Sequence, residues 1–136
     1  MKRFRKLATT TFAVLTLALA GTVDATPALA QSGCPYYNYC IWVDVNFTGP
    51  YCWWANNDGN YWNDWCAGGG GNDYLAANAA TSWYNHGAPA EFDSVRSFQQ
   101  AWGSGDTTWV ALRGFKSGWV GVVDNDDAES HYWYNG

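Results

Sequence analysis

The chain has few of the materials from which an ordinary core is made. After residue 30, its 136-residue sequence contains no methionine and only ten Ile, Leu and Val residues. Cationic side chains are equally scarce there: Arg96, Arg113 and Lys116 face 11 acids, and 3 − 11 gives a net −8. Phosphate recognition depends on Lys and Arg, so this acidity argues against a nucleic-acid partner and disfavours anionic membranes. No stretch of the region carries a sustained apolar stripe of helical period. It also lacks a Gly-x-Ser-x-Gly elbow, a His-Glu-x-x-His pair and a phosphate-cradling loop.

What is abundant is aromatic. All 10 Trp and all 9 Tyr lie after residue 30, with four of the 6 Phe. Rings must therefore fill the volume that aliphatic side chains usually fill. Aromatic residues and Val favour strands, and 14 of the 15 glycines fall in this region and favour tight turns. The composition predicts an all-β protein.

The first 30 residues read as a signal peptide removed on export. Lys2, Arg3, Arg5 and Lys6 precede the apolar run Leu7 to Gly21, and Ala28-Leu29-Ala30 supplies the small-x-small cleavage pattern. That run is too short for a membrane anchor. The expectation is a secreted, extracellular chain, free of the membrane once the leader is cut, with residues 31–136 forming one domain. Cys34, Cys40, Cys52 and Cys66 all fall in the first half of that domain. An oxidising compartment makes two disulfides the expected state. Of the three pairings, closure of nearest neighbours favours Cys34–Cys40 with Cys52–Cys66. Zinc is disfavoured because the spacing has no short Cys-x2-Cys knuckle.

Two segments echo each other 48 positions apart: Asn78-Ala-Ala-Thr-Ser-Trp-Tyr84 and Asp126-Asp-Ala-Glu-Ser-His-Tyr132. Such a period predicts two copies of one supersecondary unit, over about 34–86 and 91–135, joined near Asn85–Pro89. In the first unit, Cys40–Phe47 reads as a strand that bends near Asp44–Asn46 and folds Trp42 and Phe47 over one side. Tyr51–Ala55 reads as its returning partner and Asn56–Asn60 as a turn. Gly68–Gly71 reads as a flexible loop, and Asn72–Ala80 as the place for one helical turn. The second unit opens at Phe92–Phe98. Strands are predicted at Thr107–Arg113, Gly118–Val123 and Ser130–Tyr134, with turns at Trp102–Asp106 and Asp124–Asp127.

The pattern Trp42-x4-Phe47-x-Gly49 resembles the folded-hairpin signature of βγ-crystallin Greek-key motifs. Asn78-Ala-Ala-Thr81-Ser82 resembles the tail of their Asn/Asp-Asn/Asp-x-x-Ser/Thr-Ser loop, with Ala77 in place of the first Asn or Asp. In the second unit Phe98 and Trp102-x-x-Gly105 fit the hairpin after a one-residue adjustment. Asn125, Asp126 and Ser130 fit the loop, with Glu129 replacing its Ser/Thr. The opening Cys34-Pro-x4-Cys40, close behind a signal peptide, is similar to that of the secreted streptomycete metalloproteinase inhibitors, βγ-crystallin-like peptidase inhibitors of actinobacteria. The resemblance covers most of residues 34–135. It implies an all-β, disulfide-stapled sandwich of two Greek-key motifs that blocks a peptidase, performs no chemistry and requires no cofactor.

Crystallin-like loops offer oxygens to a hard cation, which would make Asn78, Thr81 and Ser82 one calcium set and Asn125, Asp126 and Ser130 another. The same residues also form turns by bonding their own backbone. The Cys52–Cys66 loop holds Trp53, Trp54, Tyr61, Trp62 and Trp65. Clamped at both ends, it would enter a peptidase cleft at little ordering cost, the route by which rigid inhibitors gain affinity. Most of the chain's rings must nevertheless form core. A sugar-stacking face is a third idea, without a spacing that marks a row of rings. His86, His131, Glu91, Glu129 and Arg96 include the residue types of acid–base catalysis, but no signature links them. The sequence thus points to a monomeric extracellular peptidase inhibitor acting by loop occlusion. The alternative is a non-enzymatic extracellular binding module for carbohydrate or the cell envelope, with calcium as an optional ligand.

Overall fold

The computed structural model describes residues 33–67 and 73–136. The first 30 residues, read above as a signal peptide, lie outside the described residues, as do residues 31–32 and residues 68–72, which hold the glycine run and Asn72. The strands are β1 Tyr39–Trp42, β2 Tyr51–Trp54, β3 Trp65–Cys66, β4 Tyr74–Leu75, β5 Ser82–Asn85, β6 Ser94–Gln100, β7 Ser104–Ala111, β8 Lys116–Ser117 and β9 Ser130–Tyr134. They pair in antiparallel fashion into two main sheets, ordered β2-β1-β5-β8 and β7-β6-β9, plus a small β3-β4 ribbon. Asp58 continues the second sheet by pairing with His131 of β9. Each half of the chain therefore keeps three strands and gives one edge segment to the other sheet. This is the arrangement of two interlocked Greek keys.

The pseudo-twofold relation is visible bond by bond. A 3-10 turn at Val45–Phe47 folds the β1-β2 hairpin over, and one at Ala101–Gly103 folds β6-β7. Asn46, Phe47, Trp102 and Gly103 all have positive φ. Each turn is latched by a serine at the start of the unit's last strand. Ser82 Oγ accepts from Phe47 N (3.1 Å) and donates to Asp44 O (2.8 Å). Ser130 Oγ accepts from Gly103 N (3.1 Å) and donates to Gln100 O (2.7 Å). At the junction the two echoing segments bond reciprocally, Asn78 N to Ala128 O at 2.9 Å and Asp126 N to Ala80 O at 3.3 Å. The counterpart of Phe47 is thus Gly103, not Trp102, and the second hairpin needs no adjustment of spacing.

Strand alternation divides the first sheet into two packed faces. Tyr39 and Ile41 of β1 enter the main core with Tyr61, Trp83, Val95 and Trp109. Cys40 and Trp42 face the other way, onto a second cluster with Cys34, Phe47, Tyr51 and Tyr84. The Trp42 and Phe47 rings meet edge to face at 5.4 Å, so the bend folds both over one side. The disulfides are Cys34–Cys40 and Cys52–Cys66.

Four expectations about elements are corrected. The turn expected at Trp102–Asp106 is only Ala101–Gly103, because the strand expected over Thr107–Arg113 already begins at Ser104 and runs to Ala111. Cys40–Phe47 is not one strand: β1 ends at Trp42, and beyond it the left-handed Asn46 and Phe47 rule out an extended run to residue 47. Gly118–Val123 is not a strand either; β8 is only Lys116–Ser117, Gly121 has φ 96°, and Val122 and Val123 are exposed. The segment before Ala80 holds β4 and a left-handed Asn78 instead of a helical turn.

Candidate functional site

The Cys52–Cys66 loop begins and ends on a cross-strand pair. Tyr51 and Ala67 exchange both backbone hydrogen bonds at 3.0 Å, which puts Cys52 opposite Cys66 at a Cα separation of 4.4 Å. That is the close, non-hydrogen-bonded position of an antiparallel ladder. Trp53 lies one residue further along β2 and Trp65 one residue before Cys66, so continuing the register sets them across from each other. Trp53, Trp62 and Trp65 are exposed, at 44%, 52% and 64%, and Tyr74 beside Cys66 is exposed as well. Asn60 caps the short turn that carries Trp62, its Oδ1 accepting from Trp62 N at 3.3 Å.

The other two rings of the loop point inward. Trp54 stacks flat on Tyr61, with centroids 4.6 Å apart, and Tyr61 is fully buried. Neither is presented to a partner as the loop-occlusion reading expects. Trp54 covers Tyr61, and Tyr61 enters one of two buried chains of hydrogen bonds in the core. Trp109 Nε1 donates to Tyr39 Oη (2.8 Å), which shares a hydrogen bond with Ser97 Oγ (3.1 Å). Tyr61 Oη meets His131 Nδ1 at 2.7 Å, and His131 Nε2 meets Asn56 O at 2.9 Å. A carbonyl accepts only, so Nε2 carries the proton and Tyr61 donates to Nδ1, the neutral tautomer. Burial holds the His131 imidazole down to about 4, against the Asn56 carbonyl and the Asp58 charge, which favour the cation. Burial likewise raises the Tyr61 and Tyr39 phenols. Asp64 accepts from Trp54 Nε1 at 3.0 Å, and partial burial together with the neighbouring Asp58 carboxyl lifts it to about 6.

The loop oxygens are engaged within the chain. Asn78 Nδ2 donates to Glu129 Oε1 (3.0 Å), and at the pseudo-equivalent place Thr81 Oγ1 donates to Asp126 Oδ1 (3.5 Å). Asn125 Nδ2 donates to Asp126 Oδ2 at 2.7 Å. Burial raises the Asp126 carboxyl, against these two donors. The structure therefore brings Asn78, Thr81, Asn125 and Asp126 together with Glu129. Ser82 and Ser130 are turned away, onto their hairpins. Among the described residues no group of three or more His, Cys, Asp or Glu side chains is placed to hold a metal ion. The acid–base candidates are scattered. His86 bonds Cys34 O at 3.0 Å, Arg96 lies over the Tyr134 ring, Glu129 holds Asn78, Glu91 is exposed, and His131 is sealed in the core.

A feature that sequence reasoning missed is a cleft of about 600 Å³ at the joint between the motifs. Tyr37, Phe92 and Trp133 supply its aromatic walls, and Asn56 and Asn57 its amides. These residues come from four separate segments, so no linear spacing marks them.

No family model and no curated protein matches the chain. Solved structures do. One, from work on the evolution of the eye-lens βγ-crystallin domain fold, superposes with a TM-score of 0.58 over 77% of this chain and 93% of that one, at 14% identity. Another, a βγ-crystallin domain from Clostridium beijerinckii, has a TM-score of 0.50 over 73% of this chain and 99% of that one, at 15% identity. The fold is that of a βγ-crystallin domain. At such low identity the likeness to βγ-crystallin domains extends to architecture alone. The two disulfides fit an extracellular setting, and no helix among the described residues is long and apolar enough to cross a membrane.

Proposed function

We propose that this βγ-crystallin-fold protein is a secreted, non-enzymatic inhibitor of an extracellular peptidase, probing the enzyme's cleft with the Cys52–Cys66 loop. The observation that carries the reading is the outward display of Trp53 on β2, Trp62 on its 3-10 turn and Trp65 on β3 within a disulfide-closed loop, while Trp54 and Tyr61 anchor the same loop in the core. Large rings held rigid lose little entropy on docking, and Trp is enriched among residues that dominate interface energies. The target class, a metallopeptidase, comes from the resemblance of the Cys34–Cys40 opening.

The test is a dose series of the purified protein against a thermolysin-type metallopeptidase, repeated with Trp62→Ala/Trp65→Ala. Inhibition by the parent chain that weakens about tenfold or more in the variant is expected, in line with loss of interface anchors. Full peptidase activity at about 100 µM protein, where a mid-micromolar complex would be largely formed, removes the inhibitor reading. It would leave an extracellular binding module.

A further inference from the structure

We infer that the cleft between the two motifs is a binding site for a neutral oligosaccharide. Its position is built, because the segment behind it is tied down. Asn85, fully buried, accepts from Gly87 N (2.9 Å) and donates to Asp93 O (2.9 Å) and Ala111 O (2.8 Å), fixing the joint that carries Pro89 and Phe92. The opposite wall is fixed too: Asn57 Oδ1 accepts from Trp133 N at 2.7 Å, and Asn56 O accepts from His131. Trp133 lies against Gly87, where an added Cβ would come within 2.8 Å of the ring, so the indole has a floor that only glycine permits.

The lining selects the ligand class. It contains no Lys, Arg, His, Asp or Glu, so no charged group is matched there. Tyr37 and Phe92 are more than half exposed, at 63% and 58%, and offer flat apolar faces at the mouth. Pyranose rings present flat C–H faces to such aromatics and hydroxyls at their rims. Among the described residues the Asn56 side-chain amide and Asn57 Nδ2 make no hydrogen bond within the protein, and an amide carries both donor and acceptor capacity for hydroxyls. A concave site of this volume with rings for walls and few polar groups is the usual form of a small-ligand pocket. A charged peptide or a nucleotide would leave its charges unpaired here.

The probes are cellotetraose and chitotetraose, titrated into the purified protein by calorimetry and by tryptophan fluorescence. The expected result is saturable binding of at least one. Tyr37→Ala and Phe92→Ala should each weaken it about tenfold, the loss of one stacking partner, with Tm held near that of the parent. Both side chains are exposed and lie outside the Cys52–Cys66 loop, so peptidase inhibition should survive in these variants and the two readings fail separately. The sugar preferred tells whether an acetamido group is read. Absence of saturable binding to both sugars overturns the inference, as does undiminished binding in a Tyr37→Ala/Phe92→Ala double variant. Saturation by a proline-rich peptide with none by sugars also overturns it.

Discussion

His131 ties the stability of the domain to pH in a way that can be worked out from its surroundings. The ring is fully buried against Tyr39, Trp54 and Tyr61, and its two nitrogens are matched only in the neutral form, one donating and one accepting. Protonation would put a second N–H against the Tyr61 hydroxyl and a charge in a site walled by rings. Burial lowers the imidazole from 6.5 to about 4 in the folded chain. Unfolded chains therefore bind the proton first as pH falls. The stabilisation is complete above about 6.5, is lost progressively below it, and at 1.36 kcal/mol per pH unit totals about 3 kcal/mol by pH 4. Asp64 acts in the opposite sense. Its carboxyl is raised from 3.8 to about 6, so its ionised form destabilises the fold at neutral pH and acidification relieves it. Asp64 is only partly buried, so water screens its share and the sealed histidine governs the sum. Asp64→Asn keeps an acceptor for Trp54 and removes the main opposing titration; Asp126, raised in the same sense, is exposed and screened by water. Denaturant unfolding followed by Trp fluorescence should show this variant losing roughly 2–3 kcal/mol between pH 7 and 4.5. The parent should lose less. A variant whose stability stays flat over that window, or a His131 ring that titrates near 6.5 by NMR, refutes the reasoning.

Three further outcomes follow from the same contacts. Ser82→Ala and Ser130→Ala each strip an acceptor from a hairpin N–H and a donor from a carbonyl, so each should cost about 1–3 kcal/mol in chemical denaturation; a loss in only one would break the equivalence of the latches. Replacing Cys52 and Cys66 together by Ser should lower stability by about 3 kcal/mol, read from the shift in denaturant midpoint at unchanged pH. Millimolar calcium should leave Tm within about 1 °C, because the Asn78, Thr81 and Asn125 side chains already bond Glu129 and Asp126; a saturable rise would mean that these bonds open to admit the ion.

The sequence disclosed the duplication because the closing segments of the units carry the same turn chemistry, and the reciprocal bonds of Asn78 and Asp126 are the physical form of their common spacing. The hairpins were harder to align. Phe47 lies 35 residues before its serine and Gly103 only 27 before its own, because the first motif accommodates the β3-β4 ribbon between hairpin and latch. Val-rich Gly118–Val123 read as a strand since β-propensity describes a side chain's fit to a pleated surface. Here no strand is paired beside Val122 and Val123, and they stay in solvent. For the site, composition announced many rings but not their direction. Trp53 and Trp54 are adjacent in β2, so alternation alone sends one outward and one inward. The chains Trp109–Tyr39–Ser97 and Tyr61–His131–Asn56, like the cleft at the joint, join residues distant in sequence, and no local pattern encodes them.

The strand exchange has a consequence for how such a molecule holds together. Residue 58 completes the sheet of the later half, and β8 completes the sheet of the earlier half, so neither half owns a finished edge. A backbone cut in the exposed stretch Pro89–Phe92 would leave two pieces, each missing a border that only the other can supply. Such fragments are complementary by construction, and mixing them should rebuild the sandwich where either alone stays unfolded.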